Sequence, residues 1–189
     1  MSIYKQSLDF RNGTYIELGA NDGIDQSNSR HFEKFRNWKG VLVEPTPHNF
    51  LSCLKHRSPE TSIFCNACVS FEYSEKFVEI VYSNLMSTPL GLESDIDNPL
   101  EHANLGQQFL NSTDKIFSFG AIAIPLNNLL EKAKSPKLID YYNSHVDFVS
   151  FRTHLKHHTA LSDTIMLYEI DHHKQIGKKI LIEYIKKMS

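Results

Sequence analysis

The sequence has no apolar run approaching the roughly 20 residues needed to cross a bilayer. Its opening, Met1-Ser-Ile-Tyr-Lys-Gln-Ser-Leu-Asp-Phe10, lacks the basic-then-apolar order of an export signal. A cytoplasmic chain without a membrane span is therefore expected. Cysteine is scarce and odd in number, with Cys53, Cys65 and Cys68 only. Cys65-Asn-Ala-Cys68 has CxxC spacing, but it lies in an apolar stretch and opens no helix, so buried reduced thiols are expected in preference to a redox or zinc pair. Positive charge is not in excess: 20 Lys and Arg stand against 22 Asp and Glu, a net charge of -2. That balance argues against nucleic acid as a partner. Repeats and low-complexity tracts are absent as well, and 41% hydrophobic residues in 189 suit one globular domain. A chain of this size buries roughly 70% of its unfolded surface.

What is present alternates strand and helix signals, as a parallel sheet with crossover helices requires. Tyr15–Leu18 reads as a buried strand running into a tight turn, Gly19-Ala-Asn-Asp-Gly23. Asp25-Gln-Ser-Asn28 supplies caps for a helix through Phe32 and Phe35. Val41–Val43 is a second strand, ended by Glu44-Pro-Thr-Pro-His48, and a helix with Phe50, Leu51 and Leu54 on one face follows. Ser62–Val69 reads as a third strand, and Lys76–Tyr82 as an added β segment. Residues 84–114 are irregular, a length typical of functional loops. Phe117–Ile124 is strand-like, Leu126–Ala133 a short helix, and Val146–Phe151 a compact buried strand. A helix near Thr159–Tyr168 and a strand at Lys179–Tyr184 complete the reading.

The chemistry concentrates in two places. A first strand, a glycine turn and an acid after the second strand are how a doubly wound sheet holds a nucleoside: the turn admits the ligand to the backbone, and the acid takes the ribose hydroxyls. Glu44 stands at that acidic position. A dinucleotide turn needs a second glycine where the pyrophosphate presses on the backbone. Asn21 occupies that position, which argues against a nicotinamide-dependent oxidoreductase. A ligand with a ribose but a cationic amine in place of pyrophosphate suits Glu17 better, and S-adenosylmethionine is such a ligand. Either acid alone would read as an ordinary turn or a surface glutamate; the spacing of the two is the signal.

Tyr15-Ile-Glu-Leu-Gly-Ala-Asn-Asp-Gly23, Trp38-Lys-Gly-Val-Leu-Val-Glu-Pro45 and Asn66-Ala-Cys-Val69 together resemble the FkbM-type methyltransferases, as does Leu126-Asn-Asn-Leu-Leu130. The resemblance spans residues 14–150 of a single domain, with 151–189 divergent. It implies a Rossmann-like α/β fold with a mainly parallel, doubly wound sheet. It also implies S-adenosylmethionine as cofactor and O-methylation of a saccharide or other small-metabolite hydroxyl. By the same resemblance Glu17, Gly19, Ala20, Asn21, Asp22 and Gly23 line the methionine end, Glu44 holds the ribose, and Asn66 and Ala67 lie near the adenine. The general base is not legible.

The pattern departs from the family after Val146-Asp-Phe-Val-Ser150. Where the family carries acids and a glycine, this chain reads Phe151-Arg-Thr-His-Leu155, with Arg152 in the place of an Asp. Charge shifts at the same point. Residues 1–151 hold 13 Lys and Arg against 18 acids, whereas 152–189 hold 7 against 4, with five of the ten histidines. A sheet incomplete at its C-terminal side is therefore expected, with an exposed edge through which a second copy could pair. A catalytically silent nucleoside-binding relative is the alternative to an active enzyme. His154, His157 and His158 have helical i, i+3, i+4 spacing and His172-His173 follow, but no acid cluster accompanies them, so no metal site is assigned. His48 and His145 read as solvent-facing, and Phe117-Ser-Phe119 as core packing. Ser83-Asn-Leu-Met-Ser87 reads equally as a cover for the donor methyl or a plain turn.

Overall fold

A computed structural model describes residues 11–71, 73–91, 98–136, 139–144 and 165–167. Its central element is β1 (Thr14–Leu18), a buried parallel strand. It pairs on one side with β2 (Lys39–Val43), Thr14 opposite Lys39 and Leu18 opposite Val43. On the other side it pairs with β8 (Ile139–Ser144), Glu17 opposite Asn143. With β3 (Ser62–Phe64) and β9 (Ile165–Leu167) they form a five-stranded parallel sheet in the order β3-β2-β1-β8-β9. The order reverses between β1 and β8, the topological switch point beside which open α/β sheets bind ligands.

Strand alternation divides β1 between two cores. Ile16 and Leu18 pack with Val41, Val43, Ile139 and Tyr142 against Leu126 and Leu129 of α4 (Leu126–Lys132). Tyr15 turns the other way and packs with Trp38, Leu42, Tyr141 and Cys53, on the side of α1 (Ser29–Arg36) and α2 (Pro47–His56). Both faces of the sheet are covered, so the fold is Rossmann-like α/β.

The segment Ser62–Val69, expected as one strand, is two. After β3 the chain leaves the first sheet at Cys65-Asn66, and β4 (Ala67–Val69) pairs in parallel with β7 (Phe117–Pro125). β7 pairs antiparallel with β5 (Phe77–Tyr82), and β5 with β6 (Thr88–Pro89), giving a second sheet ordered β4-β7-β5-β6. Between β5 and β6 lies a 3-10 turn at Asn84–Met86. The region expected to be irregular also holds α3 (Pro99–Leu105) and a 3-10 turn at Gly106–Phe109.

Three expectations need correction. The apolar face of α2 is not its buried face: Leu51 and Leu54 are 61% and 52% exposed, Phe50 is half-buried, and the buried side carries Asn49 and Cys53, followed by Arg57. Ile165–Leu167 is strand, not helix, where it extends the parallel sheet beyond β8. Phe117 is exposed, not core. The strands expected at Val146–Phe151 and Lys179–Tyr184, the departure at Phe151–Leu155, and His145, His154, His157, His158, His172 and His173 lie outside the described residues. Among those described, no helix is long and apolar enough to cross a membrane.

Candidate active site

A cavity of about 130 Å³ opens where β1, β2 and β3 end, between the two sheets. Leu18, Gly19 and Asn21 form one side of its floor, and Val43, Glu44 and Pro45 the other. Asn66, Ala67 and Cys68 form the wall where the chain crosses from one sheet to the next, and Ile80, Asn84, Leu85, Ser87 and Pro89 form the wall opposite the strand ends. A crossing of this kind is what makes the cavity two-sided.

The floor is built by backbone conformation. Gly19 and Gly23 have φ of 72° and 77°, and Asn21 between them has φ of 49°. Left-handed backbone is cheap for glycine and tolerable for asparagine. The turn is tied to β2, since Gly19 and Ala20 donate their backbone N–H groups to the Val43 carbonyl at 2.9 and 3.2 Å. Asn21 accepts at its side-chain oxygen from Asn49 Nδ2 at 2.8 Å, and its carbonyl accepts from Cys53 Sγ at 3.1 Å. The polar face of α2 thus turns inward to serve this turn.

Glu44 is buried at the base of the cavity. Its Oε2 accepts from the Asn21 backbone N–H at 2.9 Å, and its Oε1 from the Thr46 N–H at 2.8 Å. The Thr46 and Asn49 side chains lie within hydrogen-bonding reach of the same carboxyl. Burial pushes the Glu44 carboxyl up to about 7, against the pull of the Thr46 and Asn21 hydrogen bonds. It is therefore a carboxylate whose charge state responds to whatever enters the cavity.

The expected site residues divide into two groups. Gly19, Asn21, Glu44, Asn66 and Ala67 line the cavity. Glu17, Ala20, Asp22 and Gly23 are not part of its wall. Ala20 packs in the core with Trp38 and Cys53, and Asp22 caps the Ile24 and Asp25 N–H groups at 2.8 Å each. Gly23 closes the turn onto the Ala20 carbonyl at 2.9 Å. Glu17 shares the parity of Tyr15, and so points from β1 toward the helices. There it is fully buried against Arg57, with Nη1 at 3.5 Å from its Oε2. Ser27 donates to the same oxygen at 2.8 Å, Ser29 donates to it too, and Asn143 Nδ2 reaches Oε1 at 3.3 Å.

Arg57 is the residue that the sequence reading missed. Its guanidinium joins Glu17 and Glu33 (3.1 Å), the hydroxyls of Ser27 (3.0 Å), Ser29 (2.8 Å) and Tyr15 (3.0 Å), and the Gly23 carbonyl at 3.4 Å. Burial alone would raise the Glu33 carboxyl, but the Tyr15 hydroxyl, Arg57, the Ser58 N–H and Thr61 hold it below its usual range. No local signal marks Arg57 in the sequence, because its partners come from three separate segments: β1, the turn after it, and α1. Asp25, Gln26 and Asn49 also line the cavity unforeseen. Ser83–Ser87, read as cover or plain turn, contributes Asn84, Leu85 and Ser87 to the wall.

Cys65 and Cys68 are free thiols; Cys65 Sγ donates to the Pro45 carbonyl at 3.7 Å, and burial pushes the Cys68 thiol up to about 12, far from a reactive thiolate. Among the described residues no three His, Cys, Asp or Glu side chains gather to hold a metal.

No curated protein and no solved structure matches the chain. A family model described as the methyltransferase FkbM domain matches residues 17–142. That span begins on β1, ends on β8 and contains every residue of the cavity wall. With more than half of its length so matched, the chain is a methyltransferase and belongs to the FkbM family.

Proposed function

We propose that the protein transfers a methyl group from S-adenosylmethionine to a hydroxyl of a saccharide or other small metabolite. The observation that carries this reading is Glu44: a buried carboxylate on the cavity wall at the end of the second strand, held in place by the Asn21 and Thr46 backbone N–H groups. Two adjacent ribose hydroxyls are the donor pair that suits it. Asn66 spends its amide donor on the Ile122 carbonyl at 3.2 Å, which leaves its side-chain oxygen to accept from an adenine amino group. Ile80 and Pro89 offer an apolar surface for the base. Asn21, with its side chain closed onto Asn49, stands where a pyrophosphate would need bare backbone, and this favours the sulfonium cofactor over a dinucleotide.

The cofactor supplies an activated methyl on a sulfonium. The chain's own part is to bind and orient: Glu44 fixes the ribose, the Gly19–Gly23 turn fixes the approach of the ligand to β1, and the two sheets exclude water between them. Calorimetric titration with S-adenosylhomocysteine tests this reading. Saturable binding is expected for the native chain, with a loss of about a hundredfold or more in Glu44→Ala, since a buried acceptor of two hydroxyls disappears. Equal affinity in the two proteins would overturn the assignment. The silent-relative reading is favoured by Arg152 in the place of a family acid. Binding without methyl transfer to any of a broad panel of alcohols would select it.

A further inference from the structure

Methyl transfer requires contact between acceptor and donor, so an acceptor site has to be continuous with the cavity. The strand-end side of the cavity is occupied by the glycine turn and Glu44. On the opposite side Ile80 of β5 reaches the cavity wall from the inner face of the second sheet, a face on which Val78, Ile80 and Tyr82 pair with Ala121, Phe119 and Phe117 of β7. Burial fades along that row: Ala121 is 5% exposed, Phe119 is half-buried, and Phe117 is 45% exposed. The ring at the end of an inner face is thus uncovered.

Tyr82, itself buried, packs beside the exposed Phe117 ring and links it to His48. Tyr82 lies 5.0 Å from Phe117 at an interplanar angle of 35°, and the His48 imidazole stands edge-on to Tyr82 at 4.8 Å and 79°. Tyr82 falls in the chain between Ile80 and Asn84, and His48 three residues after Pro45; all three of those neighbours are on the cavity wall. Burial first, then the negative charges of Asp114 and Glu44, hold the Tyr82 hydroxyl above its ordinary range, so two carboxylates lie within electrostatic reach of Tyr82. Four other exposed apolar side chains lie away from this face. Phe77 and Ile122 are on the outer face of the same sheet, and Leu51 and Leu54 are on the outside of α2.

We propose that Phe117, Tyr82 and His48 form the acceptor platform, on which the flat C–H face of a neutral saccharide ring rests against Phe117 while a ring hydroxyl hydrogen-bonds the His48 imidazole. An exposed phenyl face matches the apolar face of a pyranose, and an imidazole at the rim matches its equatorial hydroxyls. The neighbouring carboxylates disfavour an anionic sugar. The proposal rests on the methyl-donor reading of the cavity only for the adjacency of the two sites.

The test is NMR of protein labelled on Phe and His side chains, titrated with a panel of neutral methyl hexopyranosides, with and without S-adenosylhomocysteine. Saturable shifts are expected at Phe117 and His48. Phe117→Ala, a change at an exposed ring that leaves the fold intact, should weaken them by about tenfold, the worth of one stacked ring. Its affinity for S-adenosylhomocysteine should stay unchanged. Absence of shifts at Phe117 across the panel, or equal affinity in Phe117→Ala, would overturn the platform even if S-adenosylhomocysteine binds. Glycoside shifts at Phe117 without any binding of S-adenosylhomocysteine would uphold the platform and sink the donor reading instead.

Discussion

Two buried carboxylates on neighbouring strands have opposite electrostatic situations, and the difference decides which of them meets a ligand. Glu17 and Glu33 share the guanidinium of Arg57, and neither lines the cavity. Removing the cation withdraws the charge that the buried Glu17 and the largely buried Glu33 share. Arg57→Met should therefore destabilise the chain by about 3–5 kcal/mol in urea unfolding at pH 7. Glu33 sits below its usual range, so its contribution is present above the unfolded value and is lost as pH falls through the folded one. The deficit of Arg57→Met should accordingly shrink as pH drops toward 4; a constant deficit would mean that packing, not charge, is lost. Among the described residues no cation pairs with Glu44, and burial pushes its carboxyl up to about 7. Raised above the unfolded value of 4.5, it stabilises the ligand-free chain below that pH and loses this contribution as pH rises through 7. Ribose hydroxyls prefer the charged acceptor, so ligand affinity runs the other way. Below pH 7 the affinity for S-adenosylhomocysteine should rise by up to about tenfold per pH unit and level off near pH 8. Calorimetry at pH 6 in two buffers of different ionisation enthalpy should register a released proton.

At the scale of the element, apolar pattern and actual orientation part company in α2. Phe50, Leu51 and Leu54 cluster on a helical wheel and read as a core face. The helix instead buries the row of Asn49 and Cys53, continued by Arg57, because the turn after β1 and the carboxylate of Glu17 demand polar partners on that side. Burial of polar groups that are fully hydrogen-bonded outweighs the modest gain of covering two leucines. Leu54→Gln should then leave stability within about 0.5 kcal/mol of native, whereas Leu129→Ala on α4, fully buried against the face of the first sheet, should cost about 2–5 kcal/mol. Thermal and urea melts of the pair check this, and a large loss in Leu54→Gln would mean that α2 is rotated. The same logic explains why β8 escaped the sequence reading. Ile139-Asp-Tyr-Tyr-Asn-Ser144 looks turn-like, yet Asp140 accepts the Thr14 N–H at 2.8 Å and Asn143 donates to Glu17. Those polar residues are partners for β1 that no local pattern announces. Conversely β1, β2, β5, β7 and α4 were legible, since each is a short apolar or β-branched run, or a short helix, bounded by turn residues.

Across the whole molecule, what the sequence displays of the cavity is its strand-end half. Gly19, Asn21 and Glu44 are close enough in sequence to read as a motif, whereas the facing wall comes from Ile80 to Pro89 and depends on a second sheet that forms only because the chain breaks at Cys65-Asn66. Asn66 couples the two, reaching from the end of the first sheet to the Ile122 carbonyl of β7. The wall itself is steadied from behind. Ser83 donates to the Ala103 carbonyl of α3, and a Cβ on Gly106 would fall 2.2 Å from Ser83 Oγ. A ligand that touches both walls must therefore tie the two sheets together, and the consequence is measurable by amide hydrogen exchange. Saturating S-adenosylhomocysteine, at about a hundred times its dissociation constant, adds about 2.7 kcal/mol of stability to every opening that releases the ligand. Slower exchange is expected both at residues 19–23 and at residues 84–87, far apart in the sequence, and at the Asn66 crossing between. Protection confined to the glycine turn would mean a ligand held by the first sheet alone, with the second sheet serving only as the acceptor's wall.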